Sequence, residues 1–168
     1  EELNRRKPIF VELGLQTMHE ESAVRIRRGY PLEVFEDAVQ RLSQAGIKVV
    51  VHLILGLPYE TKEDMLASVR YVCGLPIHGI KLQLLHLLEG TDMGEAFKAM
   101  TEEERENAFA CLTMDAYLKL VVECLKIIPP SVVVHRLTGD GPKRDLVAPL
   151  WSGDKKRVLN YINRVCRI

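Results

Sequence analysis

The stretch Ile47-Lys-Val-Val-Val-His-Leu-Ile-Leu-Gly56-Leu-Pro-Tyr-Glu-Thr61 constrains the fold more than any other part of the chain. Seven of its first nine residues are Val, Ile or Leu, the composition of a strand buried on both faces. Gly56 and Pro58 end the strand, and Thr61 followed three residues later by Asp64 has the spacing of a helix N-cap. A buried strand, a Gly-Pro loop and a capped helix make one β/α unit of a parallel sheet. Ligands of such sheets sit beyond the carboxyl ends of the strands, where Gly56 to Thr61 fall. Taken alone, the stretch reads as an ordinary β/α turn; its neighbours shift that balance.

Three more strands are expected, at residues 9–15, 79–86 and 132–137, each adjoining a helical pattern. Thr17 with Glu20 has the form of a capping box for a short helix ending near Arg28, with Gly29 as its stop. Longer helices are expected near residues 32–45, 62–73, 114–127 and 154–165. Residues 1–8 are mostly charged, and residues 89–107 read as a polar loop with short helical pieces. Strands alternating with helices imply a parallel α/β sheet with the strands neighbouring in chain order.

Strand parity points to function. Val11, Leu13 and Leu15 share one face of the first strand, while Glu12, Gly14 and Gln16 share the other. On the later strands His52, Lys81, Gln83 and Arg136 fall on the polar parity. An ordinary closed barrel fills its inside with branched apolar residues. Burying these groups without partners would cost roughly 1–3 kcal/mol each, so an open, wet interior holding a polar ligand is the better account. Glu12 pairing with Lys81 inside the sheet, and His52 as a satisfied core histidine, are the plain alternatives.

Length and composition fit one domain over the 168 residues, 47% of them hydrophobic, with Lys plus Arg equal to Asp plus Glu at 23 each. That balance gives no sign of a nucleic-acid or membrane surface, and no apolar run is long enough to span a bilayer. Cys73, Cys111, Cys124 and Cys166 are widely spaced, without CxxC or CxxxCxxC. A reducing, cytoplasmic setting fits them. The first residue is Glu1 rather than Met, as in a piece of a longer protein.

Glu12-Leu-Gly-Leu-Gln16-Thr17, the spacing from Gln16 to Arg28, and His52-Leu-Ile-Leu-Gly56-Leu-Pro-Tyr-Glu60-Thr61 together resemble the radical S-adenosylmethionine (radical SAM) enzymes. The nearest subgroup holds the Elongator catalytic subunit, the methylthiotransferases and the oxygen-independent coproporphyrinogen dehydrogenase. His135-Arg-Leu-Thr-Gly-Asp-Gly-Pro142 and Ala148-Pro-Leu-Trp151 are similar to an uncharacterised bacterial branch described as predicted Fe–S oxidoreductases.

The resemblance implies the C-terminal portion of a partial, six-unit TIM-like barrel, with a family-specific extension over about residues 129–168. It also implies a [4Fe–4S] cluster that cleaves SAM to a 5′-deoxyadenosyl radical, and an electron donor such as flavodoxin or ferredoxin. The cluster-binding CxxxCxxC is absent, so the ligands are expected outside this chain, no metal ligand is assigned within it, and the isolated chain is expected to be inactive. By motif position Gln16 and Arg28 would hold the ribose and methionine carboxylate of SAM, and His52, Ile54 and Gly56 would lie near adenine, with Glu12 beside them. The residue types suit those roles, since guanidinium forks a carboxylate, an amide both donates and accepts, and glycine admits close approach. Arg28 near a helix end can equally answer the helix dipole. Glu60 is displaced by one from the common GxIxGxxE form and carries no assigned ligand role.

Lys81, Gln83, His86, Arg136, Thr138 and Asp140 are the candidates for a substrate-facing wall. A tRNA substrate follows only by analogy with relatives. Missing strands would leave a bare sheet edge and favour self-association. Two other classes remain: a metal-dependent TIM-barrel hydrolase, because His52, His86 and His135 sit on three strands, and a non-catalytic half-barrel binding module. Against the hydrolase, His86 falls on the apolar parity and no HxH pair is present.

Overall fold

The computed structural model describes residues 2–139 and 141–166. Its centre is a four-stranded parallel sheet in the order β1 (Phe10–Gln16), β2 (Lys48–Leu55), β3 (Gly79–Leu84) and β5 (Val133–Arg136). This is the expected chain order.

Three of the longer helices form where their punctuation says. α3 (Leu32–Gln44) starts after Pro31, α4 (Lys62–Cys73) carries the Thr61–Asp64 capping box, and α7 (Met114–Ile127) is capped by Thr113. α8 (Lys155–Cys166) follows Asp154, whose carboxylate accepts from the Arg157 backbone N–H. These helices bury one stripe each against one face of the sheet, where Leu15, Val51, Leu53, Leu55, Ile80 and Leu82 are almost fully buried. Alternate residues of the same strands face away from them.

Several local expectations are corrected. Thr17 does not cap the next helix. α2 (Glu20–Arg25) begins at His19, whose side chain makes no cap bond, while Thr17 is buried and its hydroxyl accepts from the His19 N–H. A polar side chain close to a strand end finds tertiary partners before helical ones. α2 also stops at Arg25, short of Arg28, because Arg27 turns left-handed at φ 57°. The third strand ends at Leu84, so His86 lies beyond it.

Residues 2–6 form a short helix, α1, and the polar segment folds as α5 (Asp92–Ala99) and α6 (Glu102–Ala108). An antiparallel pair, β4 (Leu87–Leu88) with β6 (Leu146–Ala148), gathers Phe97, Ala108 and Phe109 into a second small core. Among the described residues no helix is long and apolar enough to cross a membrane.

Candidate functional site

The site begins with an irregularity. β1 and β2 run in register from Phe10↔Lys48 to Gly14↔His52, then slip so that Gln16 stands opposite Leu53. The extra residue is Leu15, which stays buried among the helices. Gln16 is thrown into a left-handed backbone, φ 63°, a conformation costing an L-residue about 1–2 kcal/mol. Its side chain folds back over Gly14, with the amide nitrogen donating to the carbonyls of Gly14 and Leu15 at 2.6 and 2.9 Å. A Cβ on Gly14 would stand 2.3 Å from that amide, so the absence of a side chain there lets Gln16 fold back in this way.

Arg28 fixes this turn from behind. Its side chain is 1% exposed. It donates to the carbonyls of Tyr30 (2.9 Å), Thr17 (2.9 Å) and Leu15 (3.4 Å) and to Glu20 Oε1 (2.7 Å). Four of the five N–H groups of a guanidinium are spent on the protein itself. Tyr30 adds a hydrogen bond from its hydroxyl to the Gly14 carbonyl.

Gln16, Arg28, Gly14, Tyr30, Ile54 and Leu57 line a cavity of about 430 Å³ beyond the strand ends, with Ile26, Arg27, Leu85 and Met93 completing it. Three of the residues assigned to SAM by motif position thus meet in one cavity: Gln16, Arg28 and Ile54. The others do not. Gly56 is required by its φ of 88° and by Cys111, whose Cβ would lie 2.9 Å from an added Cβ. The close approach there is to the protein's own chain.

His52 and Glu12 sit further down the polar face in a continuous network. His52 Nε2 meets Glu12 Oε2 at 2.8 Å, and its Nδ1 meets the Gln83 amide at 2.9 Å. Lys81 Nζ donates to both Glu12 oxygens at 2.6 Å. The Lys81 ammonium first, and His52 second, hold the Glu12 carboxyl below its ordinary range. Glu12 is half-exposed, so the network is wet rather than sealed.

The remaining wall candidates scatter. Arg136 stands opposite Lys81 in the ladder and is partly exposed. Thr138 is buried, and Asp140 lies outside the described residues. His86 is packed so tightly beneath the following loop that a Cβ on Gly139 or Gly141 would come within 2.7 or 2.5 Å of its ring. His135 is exposed and covers Gly79. His52, His86 and His135 therefore do not converge, and among the described residues no three His, Cys, Asp or Glu side chains are grouped to hold a metal.

Sequence reasoning missed Arg27 and Tyr59. Both take left-handed backbone, at φ 57° and 64°, and an Arg or Tyr carries no signal of that in sequence, unlike Gly or Asn. It also passed over Glu60, which is 5% exposed. Burial pushes this carboxyl above its usual range, with hydrogen bonds to Thr17 and Ser22 partly offsetting that. Its Oε1 has no hydrogen-bond partner among the described residues.

Comparison with known proteins agrees with this architecture. Residues 1–72 match the Radical SAM superfamily, and residues 77–167 match the Radical_SAM C-terminal domain. The uncharacterized protein YtqA of Bacillus subtilis is 41% identical over 97% of this chain and 48% of its own length. The tRNA uridine(34) acetyltransferase of Dehalococcoides mccartyi is 30% identical over 94% of this chain and 34% of its own. The chain thus spans half or less of these curated relatives. In fold it is similar to the archaeal Elp3 of Methanocaldococcus infernus with residues 1–46 deleted. The two align with a TM-score of 0.73 at 23% identity over 93% of this chain and 36% of that one. With its two consecutive segments matching the two consecutive parts of that family, the chain belongs to the radical SAM superfamily.

Proposed function

We propose that the chain supplies part of the SAM site and of the substrate-facing wall of a radical SAM enzyme. The observation that carries this reading is the cavity beyond β1 and β2, where Gln16, Arg28 and Ile54 meet. Its volume of about 430 Å³ lies in the range of small-molecule sites. With its amide nitrogen committed to the strand, Gln16 offers its oxygen to a ribose hydroxyl. Ile54, Leu57 and Met93 give apolar contact to a flat base. Arg28 acts through the Gln16–Thr17 turn that it holds, rather than by gripping the methionine carboxylate. The face built from Glu12, His52, Lys81, Gln83 and Arg136 forms the polar wall.

SAM, once bound and reductively cleaved, supplies hydrogen-abstracting radical chemistry. The cluster that this chemistry needs does not fit the cysteines described here. Cys111 and Cys124 are buried, their thiols pushed up to about 12 by burial, and Cys73 is raised by burial as well, whereas cluster ligands are thiolates held within bonding reach of one another. A tRNA substrate is supported by the name of one relative.

Calorimetric titration with SAM tests the cavity. Asparagine tolerates left-handed backbone, so Gln16→Asn shortens the side chain without reshaping the turn. Loss of one neutral hydrogen bond, ~1 kcal/mol, should weaken SAM about fivefold. Ile54→Trp should block binding altogether. Unchanged affinity in both variants would overturn the assignment.

A further inference from the structure

A second cavity adjoins the first. It measures about 570 Å³ and shares Ile26, Arg27 and Met93 with its neighbour. Tyr59, Arg25, Arg27, Met93, Met100 and Phe109 give it its chemistry. We infer that this cavity binds a planar aromatic group carrying a phosphate, a nucleotide unit of the substrate.

Three observations converge on it. The first is strain. Gln16, Arg27 and Tyr59 are the non-glycine residues with left-handed backbone among the described residues, and all three line these two adjoining cavities. Such conformations persist where surrounding structure enforces them, and they concentrate at binding sites. Tyr59 is enforced by its backbone N–H, which donates to the Ala108 carbonyl at 2.6 Å. The result is an aromatic residue left 58% exposed. Burial of the ring does not repay that conformation, and presentation of its face does.

The second is chemistry. The Arg25 guanidinium lies 4.9 Å over the Tyr59 ring and donates to the Pro58 carbonyl at 3.2 Å. An aromatic ring beside a guanidinium is a stacking platform for bases. Met93, Met100 and Phe109 offer apolar surface for the same flat group. Arg27 reaches across the mouth to Asp92 at 2.6 Å, both side chains largely exposed. An exposed pair of this kind is weak, so an incoming phosphate can take the guanidinium from Asp92 with two parallel hydrogen bonds.

The third is position. Arg25, Arg27 and Tyr59 belong to the segment matching the superfamily as a whole, while Asp92, Met100 and Phe109 belong to the segment matching its C-terminal domain. The cavity lies on that seam, beside the proposed cofactor site. This inference rests on that reading, since it places substrate next to SAM.

Uridine 5′-monophosphate is the probe, a pyrimidine that does not mimic the adenosyl group. It should bind the protein, and Tyr59→Gly should weaken it at least about tenfold while leaving the melting temperature unchanged or raised, since glycine accepts the backbone freely. Tyr59→Phe should retain binding, and Arg25→Ala should weaken it. SAM affinity should be the same in Tyr59→Gly as in the parent protein. No binding of the probe, or binding indifferent to Tyr59, would overturn the inference. So would a fall in melting temperature, which would make Tyr59 a packing residue, or loss of the probe in Gln16→Asn with competition by SAM, which would place it in the first cavity. If SAM fails to bind while the probe still follows Tyr59, the cofactor assignment fails and the nucleotide site stands.

Discussion

The two faces of the sheet are built from alternate residues of the same strands and treat polar groups in opposite ways. Toward the helices, Leu53, Ile80 and Leu82 are fully buried. The polar groups on that side, Thr17, Ser68 and Glu60, are sealed together near the end of β1. Toward the open face, Glu12, His52, Lys81 and Gln83 pair with one another across three strands and stay in reach of water. One face supplies the stability of the fold, and the other keeps a polar surface at modest cost. The strand ends, where the two regimes meet, are where the cavities form.

The sharpest way to break this comparison is to truncate neighbouring residues of one strand that point opposite ways. Leu82→Ala should cost about 2–5 kcal/mol, the range for cavities cut into a packed core. Lys81→Ala, one residue earlier, should cost about 1 kcal/mol or less, as a partly exposed ion pair does. Urea denaturation of the two variants measures both. Equal losses would mean that the open face is as tightly coupled to folding as the core.

Parity made this division legible in the sequence, because alternation is a local rule that tertiary structure seldom overrides in a buried parallel strand. The caps of α4 and α7 were legible for the same reason. The cavities were not. They depend on the slip at Leu15 and on three left-handed backbones, at Gln16, Arg27 and Tyr59, none of which is announced by a residue type. The orientation of Arg28 was not legible either: its twelve-residue spacing from Gln16 says the two are near each other, not that the guanidinium turns to the carbonyls of Leu15, Thr17 and Tyr30. The β4–β6 pair went unseen because two- and three-residue strands carry too few side chains to show a period.

Glu60 sharpens the comparison from the sealed side. Its carboxyl is raised by burial, so the folded protein holds that proton more tightly than the unfolded chain. Stability from this group therefore falls as pH rises from the ordinary carboxylate range through the raised value. Glu60→Gln keeps the shape without the charge, and should stabilise the protein at neutral pH by about 1 kcal/mol. The gain should shrink on acidification. Thermal melts of both proteins across the acid range would show it, and a destabilised variant at neutral pH would mean that the ionised carboxylate is well satisfied.

Glu12 should give the smallest effect, with the opposite slope. The Lys81 ammonium, then His52, lower its carboxyl, so the folded protein holds this proton less tightly than the unfolded chain. Its contribution is present above the ordinary carboxylate value and is lost as pH falls through the lowered one. Because Glu12 is half-exposed, water screens the pair and the contribution is at most a few tenths of a kcal/mol. Glu12→Gln should therefore lower the melting temperature slightly at neutral pH and merge with the parent at acid pH, where both side chains are neutral. Added salt should narrow the neutral-pH gap, since exposed ion pairs are screened and buried ones much less so. The same salt series on Glu60→Gln should change little. If the Glu12 gap proves large and indifferent to salt, this face is closed against water rather than open and wet, and a polar ligand would have no room beside it.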